Sequence, residues 1–268
     1  MKLFAWLFKR KPKTIKVGLA LGSGGAKGFA HLGALKAFEE NGIEFDLIAG
    51  TSIGSVIGAF VAQEYTSTDI AELIKRIDLG EVTSAFMINM DTSGIFKVVD
   101  RELGSLTFEE MKKPFKAVAT QLETGDETVF SSGNVASAVC ASSSIPPFFK
   151  PVLIDGERYV DGAYTNSVPS DVVRDMGADY VVAIDLSTRE SKFSLLKKIF
   201  PTYKSSVKEP WAKGYANADI VLHPDLNDYS SVAIGSAMKM YDIGYQCAMS
   251  YVQQIKEEIS ALKTKKKR

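Results

Sequence analysis

Gly50-Thr51-Ser52-Ile53-Gly54 constrains this chain more than any other stretch, because it joins a short apolar run, residues 45–49, to a longer apolar stretch ending near Ala62. The first run has the length of a buried strand, and the second reads as a helix. A G-x-S-x-G turn between strand and helix needs its glycines, because a Cβ at either position would strike neighbouring backbone. Such a turn pushes Ser52 out at the carboxyl end of the strand. It also directs the first N–H groups of the following helix toward that point. Ser52 is therefore the candidate nucleophile, with Gly50 and Gly54 supporting the turn.

A second glycine turn precedes it. Residues 15–21 form a β-branched, apolar run, followed by Gly22-Ser23-Gly24-Gly25-Ala26-Lys27-Gly28. From Ala26 to Asn41 the pattern is helical, with Ala30, Ala34, Leu35 and Phe38 on one face and Asn41-Gly42 ending it. Glycine-rich turns at helix N-termini bind anions through free N–H groups. A nucleotide phosphate is one such anion. However, Ser23 stands where G-x-G-x-x-G wants its first glycine, and Asp46 precedes its strand instead of ending it. The Walker pattern is absent. The other use is an oxyanion hole for an acyl transition state, which a serine nucleophile on the next strand favours.

The remaining pattern alternates strands and helices. Residues 67–78 place Ile70, Leu73, Ile74 and Ile77 at helical spacing. Phe115–Gln121 and residues 128–131 read as a hairpin around Thr124-Gly125-Asp126. A small-residue helix over 134–141 stops before Pro146-Pro147, and Val152–Ile154 and residues 158–160 flank an Asp155-Gly156 turn. Pro169 opens a helix to Met176, residues 180–186 form a buried strand, and 187–217 is the least regular part. Ile220–Leu222 is a short strand and 234–262 a long final helix. This order predicts an α/β protein, a three-layer α/β/α sandwich on a mostly parallel central sheet. We expect one domain over residues 15–262, preceded by a basic and apolar segment, 1–14, and followed by a basic tail, 263–268.

Charge narrows the partners. Of 32 basic residues, six lie in residues 1–16 and five in 263–268, with no acid in either end; the body keeps 21 basic against 32 acidic residues. An acidic body is a poor nucleic-acid binder, so no nucleic acid is expected. The basic ends can touch anionic lipid or simply solvate a terminus. Residues 1–8 are too short for a signal-peptide core, and their charge follows the apolar stretch instead of leading it. The expected location is the cytoplasm, with peripheral contact at the inner face of the membrane. Residues 191–208 place Leu195, Leu196, Ile199 and Phe200 on one helical face bordered by lysines. That pattern fits a short core helix, or an interfacial one docking on an anionic surface together with Phe4, Trp6 and Phe8. Cys140 and Cys247 make no disulfide framework, and no Cys/His cluster has zinc spacing, so no metal or cofactor is expected. The sequence does not set an oligomeric state.

A serine nucleophile needs a base. His31 shares a helical face with Ala34, Leu35 and Phe38, the position of a packed core histidine. His223 follows a strand, and Ser52…Asp161…His223 has the order of an α/β-hydrolase triad. Asp161, in Asp161-Gly162-Ala163 at a strand end, is either a turn residue or a carboxylate base acting directly.

The segments GSGGAKGFAHLGALKAFEE, GTSIG, ASSSIPPFF and VDGAYTNSVP, in this order, resemble the patatin-like phospholipases, particularly their short bacterial members, over about residues 15–185. The resemblance implies an acyl hydrolase with a Ser-Asp dyad and no catalytic histidine. It implies Ser52 as nucleophile and Asp161 as base, with Gly162 and Ala163 completing the D-G-[GA] motif. It further implies an oxyanion loop of Gly22, Ser23, Gly24 and Gly25, supported by Gly28, with Lys27 tethering that loop. Ser23 departs from the glycine many members carry; a hole built from backbone N–H groups tolerates it. The implied substrate is a lipid ester of phospholipase A or lysophospholipase type. The alternative is a catalytically weak lipid- or partner-binding regulator on the same fold. An aspartate is a weak base, so a dyad needs partial desolvation or neighbouring charge to raise its basicity.

Overall fold

The computed structural model describes residues 14–76, 92–187, 207–231 and 234–267. Expectations about residues 1–13, and nearly all of the 191–208 segment, lie outside them. Among the described residues, eight strands form one sheet: β1 (Val17–Leu21), β2 (Leu47–Thr51), β3 (Phe115–Gln121), β4 (Glu127–Phe130), β5 (Val152–Ile154), β6 (Glu157–Asp161), β7 (Tyr180–Ile184) and β8 (Ile220–Leu222). The order is β5-β6-β3-β2-β1-β7-β8, with β4 also on β3. Strands β3, β2, β1, β7 and β8 run parallel, and the β4, β5 and β6 pairings are antiparallel.

The described helices are α1 (Phe29–Glu40), α2 (Ile53–Ala62), α3 (Ser67–Arg76), α4 (Ser93–Leu103), α5 (Val135–Ser142), α6 (Ser170–Asp175), α7 (Ala212–Asn217) and α8 (Ala237–Lys267). Successive side chains of a strand point to opposite faces, and the core divides accordingly. Leu19, Leu21, Ile48, Phe115, Val182 and Ile184 pack with α1, α2 and α8. Ala20, Leu47, Ala49, Val118, Val181 and Ala183 pack with α6. The central strands are buried on both faces, which explains their unbroken apolar character. The sandwich is the one expected from the sequence.

Two helices are additional to the expected elements. Helix α7 spans six residues, too few to show a period. Helix α4 buries Val98, Val99 and Leu103 and ends at Gly104, whose φ of 73° supplies the left-handed cap. The residues expected as a basic tail continue α8 through Lys267. Among the described residues, no helix is long and apolar enough to cross a membrane.

The register on β3 decides the site. Strand β4 occupies one edge of β3 over Ala117–Thr120, so β2 and β6 must share the other. Strand β2 climbs that edge and ends with Thr51 opposite Val118; β6 descends it from the other end and stops with Asp161 opposite Ala119. The two strand ends therefore abut. The residue after Thr51 is Ser52.

Candidate active site

Ser52 sits between β2 and α2 at φ 56°, ψ −127°, a conformation that L-residues avoid. Holding it there costs on the order of 1–3 kcal/mol. The glycines of the turn make it sterically feasible. A Cβ on Gly50 would lie 2.2 Å from the Gly54 carbonyl oxygen, and one on Gly54 would lie 2.1 Å from that of Leu21. The first and last residues of the motif thus press against each other, and the last presses on the end of β1.

Ser52 Oγ donates to Asp161 Oδ2 at 2.5 Å, and both residues are buried. The other carboxylate oxygen, Oδ1, accepts the Ala163 N–H at 2.8 Å. Gly162 is required beside it, because a Cβ there would lie 2.2 Å from the Val118 carbonyl oxygen. Thr120 Oγ1 donates to the Asp161 carbonyl, and the Asp161 N–H donates to the Ser144 carbonyl.

The glycine turn lies at the neighbouring end of β1. Its first two N–H groups are engaged: Gly22 donates to the Ile184 carbonyl and Ser23 to that of Ser167, each at 2.9 Å. The Ala26 N–H donates to the Ser231 carbonyl at 2.7 Å. Gly24 and Gly25 are left with no acceptor for their N–H groups among the described residues. Lys27 is buried, and its Nζ donates to the Leu226 carbonyl at 3.0 Å, tying the turn to the segment after β8. Gly28 lies against the Ile53 side chain, so the turn packs directly on the elbow.

Neither histidine joins Ser52 and Asp161. His223 Nδ1 lies 3.5 Å from Asp185 Oδ2 at the ends of β7 and β8. Burial pushes the Asp185 carboxyl up. Hydrogen bonds from His223, Ser187 and Tyr215 outweigh that effect and hold it below the ordinary range. His31 is fully buried, and its Nε2 faces the Gly22 carbonyl at 2.8 Å, so Nε2 carries the proton. Burial lowers its pKa from 6.5 to about 4, with the Gly22 hydrogen bond opposing.

His31 therefore gives a pH-dependent stability. Its folded pKa is depressed, so between pH 6.5 and 4 the unfolded chain binds a proton that the fold refuses. The contribution is complete above pH 6.5 and is lost as pH falls toward 4, by about 3 kcal/mol. The urea midpoint is expected to fall more steeply between pH 7 and 4.5 in the parent than in His31→Gln, which keeps a donor for Gly22 without titrating. Parallel pH profiles would refute this.

Two residues at the site had no role from sequence reasoning. Ser142 Oγ accepts the Ser52 N–H at 2.9 Å and donates to the Val118 carbonyl at 2.6 Å. Ser144 supplies the carbonyl that holds the Asp161 N–H. Both belong to ASSSIPPFF, and that block is the signal that could have pointed to them. The carboxyl end of α5 thus grips the backbone of both Ser52 and Asp161.

The chain is similar to known proteins. The family description "Patatin-like phospholipase" matches residues 19–174, more than half of the chain. "Neuropathy target esterase sws" of Drosophila melanogaster is 26% identical over 89% of this chain. "Lysophospholipase nte1" of Aspergillus fumigatus is 26% identical over 90% of it. The chain spans only 20% and 18% of those two relatives. The crystal structure of VipD from Legionella pneumophila shares the fold, with a TM-score of 0.56 at 15% identity, covering 90% of this chain and 67% of that one.

Proposed function

We propose that this chain, which belongs to the patatin-like phospholipase family, is a serine acyl hydrolase that cleaves lipid carboxylic esters through a dyad of Ser52 and Asp161. The observation that carries the reading is the 2.5 Å hydrogen bond from Ser52 Oγ to Asp161 Oδ2 at a strained strand-to-helix turn. Nucleophile and base in direct contact, with the base itself oriented by a third group, is the arrangement that activates a serine. Here the orienting group is the Ala163 N–H on Oδ1, which leaves Oδ2 to Ser52.

In this reading Ser52 Oγ attacks the ester carbonyl carbon as its proton passes to Asp161 Oδ2. The N–H groups of Gly24 and Gly25 meet the oxygen as it gains charge, the step at which such donors contribute most. Collapse expels the alcohol, which takes the proton from Asp161. Water then gives a proton to Asp161, attacks the acyl-enzyme and releases the fatty acid, returning the proton to Ser52. Gly22 and Ser23 support the loop, since their own N–H groups are engaged. The names of the relatives, an esterase and a lysophospholipase, support an ester of lipid type. Phospholipase A and lysophospholipase action both fit this chemistry.

A fluorophosphonate probe tests the reading. The intact protein is expected to take up one probe per chain, at Ser52, as located by peptide mass spectrometry. Folded protein left unlabelled at Ser52 would refute the proposal.

A further inference from the structure

A cavity of about 400 Å³ opens beside the elbow. At one end its wall includes Gly25 and Ile53, the residue that follows Ser52, while Ser52 and Asp161 themselves do not line it. From there it runs along α2 through Val56, Ile57 and Phe60. These positions are i, i+3, i+4 and i+7 from Ile53, one face of a helix. Helices α3 and α4 close the other sides, with Leu73 and Val98 among the residues contributed. Among the described residues, Ser231 is the only lining residue with a polar side chain. One hydroxyl along these apolar walls would compensate a charged or hydrated ligand group for little of its lost water. The volume lies near the small end of ligand pockets, which suits one extended chain.

We infer that this cavity receives the acyl chain of the ester and sets its preferred length, with a single straight chain of about eight carbons filling it. The inference rests on the acyl-hydrolase reading above. The length follows from α2. Ile53 to Phe60 spans about 10 Å at about 1.5 Å per residue, and an extended chain of single bonds advances about 1.2 Å per bond. The count starts at Ile53, which follows the attacking serine in the chain, and ends at Phe60, the last residue of α2 that lines the cavity. Val56 stands about one helical turn in, so bulk there shortens the usable length. Val98 faces the same space from α4, so removing bulk there extends it.

The test is kcat/KM for p-nitrophenyl esters of two to twelve carbons, held below their aggregation concentrations, in the parent, Val56→Phe and Val98→Ala. In the parent the value is expected to rise about fourfold per added methylene and to level off near eight carbons. The break moves to shorter chains in Val56→Phe and to longer chains in Val98→Ala. Circular dichroism checks each fold, and either variant suffices because the expected shifts are opposite. A rise through twelve carbons in the parent, or the same break in all folded proteins, would overturn the cavity's role and leave the hydrolase reading intact. Hydrolysis of none of the esters by the folded parent would overturn both.

Discussion

Asp161→Asn is expected to lower kcat/KM for a short nitrophenyl ester by about 10⁴- to 10⁶-fold, the range seen when a serine hydrolase loses one member of its catalytic group. His223→Ala is expected to stay within about threefold of the parent, because this histidine touches neither reacting group. Asparagine matches aspartate in shape and can still accept the Ala163 N–H that holds Oδ1. The atom that replaces Oδ2 is an amide nitrogen, which offers Ser52 Oγ a donor in place of an acceptor. The geometry survives while the base is removed, so the loss belongs in kcat and not in folding. His223 pairs with Asp185, and neither His223 nor His31 bonds to Ser52 or Asp161. In a triad, His223→Ala would cost as much as Asp161→Asn or more. Paired kinetics on the two variants, with thermal melts to confirm folding, decide the matter. A loss of three orders of magnitude or more in His223→Ala would replace the dyad with a triad.

Gly54→Ala is expected to be nearly as damaging to the reaction, by a different route. The added Cβ would sit 2.1 Å from the Leu21 carbonyl oxygen and 2.7 Å from that of Gly22. Both are backbone atoms at the end of a central strand, so they cannot turn aside as a side chain would. Helix α2 must instead withdraw from β1, carrying Ser52 away from the glycine turn. A displacement of about 1 Å between reacting groups can cost about 10²-fold, and that is the expected fall in the rate of fluorophosphonate labelling. Overpacking of this kind also destabilises by roughly 1–3 kcal/mol, which for a domain of this size lowers Tm by roughly 2–12 °C. An unchanged labelling rate and an unchanged Tm together would show that the contact between α2 and β1 does not hold the nucleophile in place.

The strongest local signals were the two glycine turns. Each stands between an apolar run and a helical pattern, and β1, β2, α1 and α2 formed close to where the periodicity put them. The reason is physical: a strand buried on both faces must be apolar throughout, and a tight strand-to-helix turn excludes Cβ at fixed positions. Helix α4 escaped, although Ile95, Val98 and Val99 carry a helical spacing. Helix α7 was too short to show one.

At the site, the sequence by itself determined that Ser52 would stand at a tight strand-to-helix turn, because that follows from five consecutive residues. Its local pattern left the partner of Ser52 open between a histidine and an aspartate 109 residues away, and only the family resemblance implied the aspartate. Only the tertiary structure brings Asp161 within hydrogen-bond distance of Ser52, through the pairing of strands. Strands β2 and β6 share one edge of β3, and their ends meet at Val118 and Ala119. That register depends on β4 occupying the opposite edge, and no local pattern in the sequence encodes it. The glycine turn divides in the same way. Four consecutive residues look equivalent in the sequence, but the carbonyls of Ile184 and Ser167 claim the first two N–H groups. Which donors stay free depends on distant chain brought alongside by the sheet and the loop after β6. A hydrogen bond to distant chain leaves no trace in local composition, so only the assembled fold could separate Gly24 and Gly25 from Gly22 and Ser23.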